Sequence, residues 1–127
     1  MRSILIVEDD ADMRSLLAAF LTVRGFSVYT ARNGRHALQI LDRIPAPSLI
    51  LLDYKMPEMN GTQFLAHKRR DRRLQAIPVA IMSASTREWT GGSSRLDVID
   101  VLSKPMDLER LLALVARVTS TRSTDVA

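Results

Sequence analysis

The chain has 127 residues, which at roughly 100 to 200 residues per domain makes one domain with room for a core of its own. Hydrophobic residues make up 46% and charged residues 25%, which excludes a disordered chain, and the lack of cysteine excludes disulfides, thiolate nucleophiles and Cys-ligated metals. Basic residues outnumber acidic ones by 18 to 14, but residues 68–73 carry the whole excess, so the basic character is a local patch and not a nucleic-acid-binding composition.

From the N-terminus, Ile4-Leu5-Ile6-Val7 is apolar at every position. That predicts a strand covered on both faces, and it is far too short for a membrane span or a signal sequence, so a soluble cytoplasmic domain is expected. Met13, Leu16, Leu17, Phe20 and Leu21 fall at i, i+3, i+4, i+7 and i+8, the stripe of an amphipathic helix, which Gly25 should stop. Residues 27–30 are a weaker strand. Asn33-Gly34 turns into a second helix carrying Ala37, Leu38 and Leu41, which Pro45 and Pro47 close before a strand at 49–52. Asn60-Gly61 opens a third helix with Phe64 and Leu65, and the basic run at 68–73 reads as its solvated end, where cations suit the helix dipole. Docking of an acidic partner there is the alternative.

A fourth apolar run spans 79–82. Residues 83–97, where a fourth helix should lie, include Gly91-Gly92-Ser93-Ser94, which predicts a short or mobile helix. A fifth strand follows at 98–102, and Leu108, Leu111, Leu112, Val115 and Val118 form a last amphipathic helix. The domain should end at residue 118, leaving 119–127 as a flexible tail or linker. Alternation of this kind calls for right-handed crossovers and a doubly wound parallel sheet.

In such sheets ligands bind beyond the carboxyl ends of the strands. That rule selects Glu8, Asp9 and Asp10 after the first strand, Asp53 after the third, Ser83 after the fourth and Lys104 after the fifth. Crowded carboxylates repel one another, and a hard divalent cation with oxygen ligands, magnesium above all, relieves the repulsion while leaving coordination open for phosphoryl oxygens. One carboxylate can then act as a nucleophile toward phosphorus, with Lys104 and Ser83 meeting the phosphoryl oxygens. Asp10 and Asp12 are better explained as helix-capping acids. His36 and His67 lie on helices away from the strand ends and read as solvated surface, and Trp89 reads equally well as buried or as a partner contact.

Four segments together resemble the receiver domain of two-component response regulators: Ile4 with the residues through Glu8-Asp9-Asp10, Leu51-Leu52-Asp53-Tyr54-Lys55-Met56-Pro57-Glu58-Met59-Asn60-Gly61, Met82-Ser83-Ala84 and Ser103-Lys104-Pro105. The resemblance implies a flavodoxin-like five-stranded parallel sheet of order 2-1-3-4-5 with helices on both faces. It makes Asp53 the phosphoacceptor and Ser83 and Lys104 its partners in phosphotransfer. Magnesium would be held by Asp9, Asp53 and the backbone carbonyl of Lys55, with Glu8 acting through water. The bond between Lys104 and Pro105 is expected to be cis. A histidine kinase or a histidine phosphotransfer protein would supply the phosphate, an unidentified downstream protein would read it, and the chain would be a monomer or weak dimer that contacts neither nucleic acid nor membrane. It would catalyse its own phosphotransfer and slow hydrolysis without being a turnover enzyme.

Three positions depart from the family pattern. Val101 stands where a Tyr or Phe usually reports phosphorylation, Asp97-Val98 replaces a Gly-Ala step, and Met106 replaces the usual Phe. A valine cannot swing a ring, so ordering of residues 86–96 is the expected switch. Two competing readings remain: a receiver that binds proteins independently of phosphorylation, and a phosphohydrolase of the haloacid dehalogenase type, whose Asp-x-Asp nucleophile motif would require an aspartate at Glu8.

Overall fold

A computed structural model describes the backbone of residues 2–56, 58–84 and 98–126, with side chains through Thr119. The expected mobile helix, Trp89 and the proposed 86–96 switch lie outside the described residues. Five parallel strands, β1 (Ser3–Val7), β2 (Ser27–Ala31), β3 (Leu49–Asp53), β4 (Val79–Ser83) and β5 (Val98–Ser103), form one sheet of order β2-β1-β3-β4-β5. The expected order and parallel sense are therefore observed.

The apolar runs make a two-sided sheet because alternate residues feed different cores. Leu5, Val7, Ile50, Leu52, Val79 and Ile81 pack with Ala37 and Leu41 of α2 (Gly34–Leu41) and with Phe64 and Leu65 of α3 (Gly61–Arg70). Ile4, Ile6, Leu49, Leu51, Ala80 and Met82 pack instead with Leu17 and Leu21 of α1 (Ala11–Val23) and with Leu111 and Val115 of the C-terminal helix. All the strand residues in both sets are fully buried, and each large side chain among them contributes about 1.5–3 kcal/mol relative to exposure.

Helix boundaries follow the polar signals. Asp10 caps α1, accepting from the amides of Asp12 at 2.9 Å and Met13 at 3.1 Å, as its place before the apolar stripe suggests. Gly25 turns the chain out of the helix at φ 94, in the left-handed region open to glycine. Asn60 and Gln63 form a reciprocal capping box at the start of α3.

Two expectations near the helix ends are corrected. A short helix, α4 (Arg72–Gln75), follows α3, with Asp71 ending one helix and capping the other through the amide of Arg73 at 2.9 Å. The basic run is accordingly only partly solvated. Lys68 is 1% exposed, its Nζ donating to the carbonyl of Gln75 at 2.9 Å, and Arg73 donates to the carbonyls of Leu41 and Ile44 at the end of α2. The helix end needs these cations because its last carbonyls lack partners within the helix. This basic stretch precedes β4 and so lies at the amino edge of the sheet, across from the strand carboxyl ends.

The last helix, α5 (Leu108–Val126), runs past the expected boundary at residue 118. Thr119 is buried, and its hydroxyl donates to the carbonyl of Val115 at 2.8 Å, which lets a polar residue continue the packed face. Between β4 and β5 the register jumps, Val79 facing Val98 and Ala80 facing Asp100, so Ile99 bulges out and is exposed. Among the described residues no helix is long and apolar enough to cross a membrane.

Candidate functional site

The parallel register brings the strand ends into line. Val7 pairs with Leu52, Asp53 with Met82, and Ser83 with Ser103, so Glu8, Asp53, Ser83 and Lys104 leave adjacent strands at one edge. Backbone bonds extend the ladder beyond the strands: Glu8 N donates to Ala31 O at 3.0 Å, Tyr54 N to Met82 O at 3.0 Å and Lys104 N to Ser83 O at 2.8 Å. Residues far apart in sequence are thus held by main chain before any side chain meets another. The Lys104–Pro105 peptide bond is cis, as expected.

Carboxylate oxygens of Glu8, Asp9 and Asp53 all lie within 4.8 Å of one another. Glu8 has no solvent exposure, Asp53 is 4% exposed, and Asp9 is open to solvent. The Lys104 ammonium lies 2.8 Å from Glu8 Oε1 and 3.2 Å from Asp53 Oδ1. The other Glu8 oxygen accepts from the amide of Asp10 at 3.1 Å, so both oxygens of this buried carboxylate are engaged. Ser83 is buried beside them at the end of β4. Lys55 follows Asp53 by two residues, with its side chain exposed.

The electrostatics follow from this crowding. Burial pushes the Asp53 carboxyl up to about 7, reinforced by hydrogen bonds with Glu8 and Asp9 and by the Glu8 charge, and only partly opposed by Lys104. Burial also works to raise Asp9, but hydrogen bonding with Asp53, Glu8 and backbone, together with the Lys104 charge, outweighs it and holds Asp9 below the usual carboxylate range. For Lys104, burial disfavours the charged form, yet the Glu8 bond and the charges of Asp53 and Glu8 raise its pKa on balance. Asp53 is therefore a carboxylate whose negative charge is under-compensated, the condition that a hard cation relieves. One or two of these clustered carboxylates, completed by water, are the donors such a cation takes.

Three supporting residues escaped the sequence reading. Arg14 donates from Nη1 to the carbonyl of Glu8 at 2.8 Å, fixing the turn after β1. A cation in the first turns of a helix opposes the dipole, and that local conflict was the available signal. His36, expected on solvated surface, is half-buried, and its Nδ1 accepts from the amide of Arg32 at 3.1 Å. It belongs to the N-terminal turn of α2, next to the end of β2. Asn33 bonds Glu58 across 25 residues of sequence, and nothing local marks that contact. Val101, at the position of the missing aromatic, is half-buried against the α2 and α3 core, and Asp100 beside it pairs with Arg110 of α5 at 3.0 Å.

Comparison with known proteins agrees with this geometry. The profile described as "Response regulator receiver domain" matches residues 4–116. The chain is 34% identical to the regulatory protein AtoC of Escherichia coli over 94% of its own length, spanning only 26% of that protein. It is 35% identical to an uncharacterised 14.6 kDa protein of Leptolyngbya boryana, covering 88% of this chain and 86% of the other. A receiver protein of known structure from Pseudomonas putida superposes with a TM-score of 0.84 at 28% identity, over 91% of this chain and 96% of that one.

Proposed function

Since the chain belongs to the response regulator receiver domain family, we propose that its acidic pocket is a magnesium-dependent phosphoacceptor site, with Asp53 as the residue phosphorylated. The observation that carries this reading is the cluster of Glu8, Asp9 and Asp53 oxygens within 4.8 Å, with the Lys104 ammonium 3.2 Å from Asp53. Asp9, Asp53 and the Lys55 carbonyl would hold the ion directly and Glu8 through water. When bound, the ion supplies positive charge to the phosphoryl oxygens.

The chain's own residues perform the rest. One Asp53 oxygen attacks phosphorus as the bond to the donor histidine nitrogen breaks, and the departing imidazole takes its proton from solvent. Lys104 follows the charge from Asp53 to the phosphoryl group, and the Ser83 hydroxyl turns toward a phosphoryl oxygen. Displacement around residues 83–104 then carries the signal. A histidine kinase or histidine phosphotransfer protein is the donor, and a further protein is the receiver of the signal, with the chain acting in the cytoplasm. Turnover of a metabolite is not part of this role, because autophosphorylation and slow hydrolysis at Asp53 suffice.

Mass spectrometry after phosphoramidate treatment tests the assignment. Wild type with magnesium should gain one phosphate and Asp53→Asn none, and a single phosphate on both proteins would refute it. The phosphohydrolase reading requires sustained turnover of para-nitrophenyl phosphate that survives Asp53→Asn. The position its motif would give to a nucleophile is Glu8, which is buried and bonded to Lys104.

A further inference from the structure

The loop that leaves Asp53 is fastened from a distance, and the fastening point is Asn33. We propose that Asn33 is a positioning residue for the phosphoacceptor loop, its side-chain amide tying the start of α2 to Glu58 and so fixing the segment that contains Lys55. The proposal rests on the phosphoacceptor reading of Asp53.

The amide has two jobs with distinct atoms. Its Oδ1 accepts from the backbone amide of His36 at 2.8 Å, which caps α2. That bond settles the orientation of the group, so the atom facing Glu58 is the NH2 donor, 3.2 Å from Oε2. Glu58 needs the restraint, because it sits at φ 67, in the left-handed region that residues with a Cβ rarely adopt.

Two neighbouring contacts show how closely the loop is seated. A Cβ at Gly34, the first residue of α2, would lie 3.0 Å from both Cγ and Sδ of Met59. At the loop's base, the amide of Gly61 donates to the carbonyl of Tyr54 at 2.8 Å, closing the segment on itself. Lys55 lies inside this closed loop. Releasing Glu58 lets the loop leave its left-handed turn and moves the Lys55 backbone relative to Asp53. Asn suits the position because one short side chain supplies an acceptor to the helix and a donor to the carboxylate. Asp would keep the cap and turn the donation into repulsion.

A donor-acceptor swap separates this role from plain helix capping. Asn33→Asp should retain the fold and weaken magnesium affinity about tenfold, the scale typical of groups that orient metal ligands. Phosphorylation by phosphoramidate at sub-saturating magnesium should slow with it. Asn33→Asp combined with Glu58→Gln, which reverses donor and acceptor, should bring both values back to within about twofold of wild type, and the same rescue should appear in the amide resonances of Lys55 and Glu58. Glu58→Ala reads the same bond from the other side should the first variant fail to fold. Unchanged magnesium affinity and rate in both Asn33→Asp and Glu58→Ala, or no recovery in the swap, would overturn the proposal. Phosphate found on a residue other than Asp53 would overturn the phosphoacceptor reading instead, while the loop resonances would still report on the Asn33 tie.

Discussion

The Lys104 ammonium lies 2.8 Å from Oε1 of Glu8, a carboxylate with no solvent exposure. Breaking a fully buried ion pair by removing one partner commonly costs about 3–5 kcal/mol, because the other charge is stranded. Lys104 keeps 23% of its side chain exposed, and Glu8 retains the Asp10 amide, so the cost here should be smaller. Lys104→Met should destabilise the metal-free protein by roughly 2–3 kcal/mol in urea unfolding, with part of the loss recovered in millimolar magnesium. A variant as stable as wild type in EDTA would contradict this account of the pocket.

Asp53 sets a second dependence, on pH. Its carboxyl titrates near 7 when folded and near 3.8 when unfolded, so the folded state binds the extra proton between those values. Stability of the metal-free protein should therefore fall as pH rises from about 4 to 7, by roughly 1–3 kcal/mol, then level off. Asp53→Asn removes that slope and should be more stable than wild type above pH 7. Urea titrations across this range in EDTA would show equal slopes if the pocket did not raise Asp53.

Magnesium must compete with the same proton. With a carboxyl near 7, about a tenth of the sites are ionised at pH 6 and about nine-tenths at pH 8, so apparent magnesium affinity should rise roughly tenfold between them. Calorimetry in buffers of different ionisation enthalpy should record proton release at pH 6.5 and almost none at pH 8.5. Equal release at both values would locate the metal elsewhere.

His36 carries the opposite sign. Burial, followed by the charges of Arg32 and Arg14, holds its pKa below the ordinary 6.5. The unfolded chain then takes up the proton first, so stability falls as pH drops through 6.5, and protonation also removes the acceptor used by the Arg32 amide. In the Asp53→Asn background, where the carboxylate slope is gone, unfolding between pH 7.5 and 5.5 should show this loss, and His36→Gln should flatten it.

The basic stretch divides into structural and solvated members. Arg73→Ala should cost about 1–2 kcal/mol, since two carbonyls at the end of α2 lose their donors. Arg72→Ala, one residue away and exposed like Arg73 but donating to neither of these carbonyls, should change stability by less than about 0.5 kcal/mol. Thermal unfolding of the pair is sufficient to decide.

The contrast between Arg72 and Arg73 also marks where sequence reading stops. The sheet and the acidic edge were legible because strands apolar on both faces, such as 49–52, permit few arrangements, and because Glu8, Asp53 and Ser83 directly follow such runs, with Asp9 and Lys104 two residues beyond the segments 4–7 and 98–102. Lys68 was not, because its burial depends on the Gln75 carbonyl, presented by a four-residue helix too short to leave a periodic trace. Asn33 was legible as a cap and silent as a tie to Glu58, since its partner is set by tertiary placement. Thr119 was misread because a threonine bonded to a carbonyl one turn back carries no mark in composition.

Among the described residues the two edges of the sheet differ in charge, with Glu8, Asp9, Asp10 and Asp53 gathered at the carboxyl edge and the basic run of residues 68–73 at the other. An anion such as phosphoramidate is thus drawn to a chain of net charge +4 yet repelled from the mouth of the pocket. Screening this field should speed the arrival of phosphoramidate at the pocket before metal binds, the reverse of what the net charge alone implies. The orientation in which a partner first meets this protein is written into the sheet's polarity, before any contact forms.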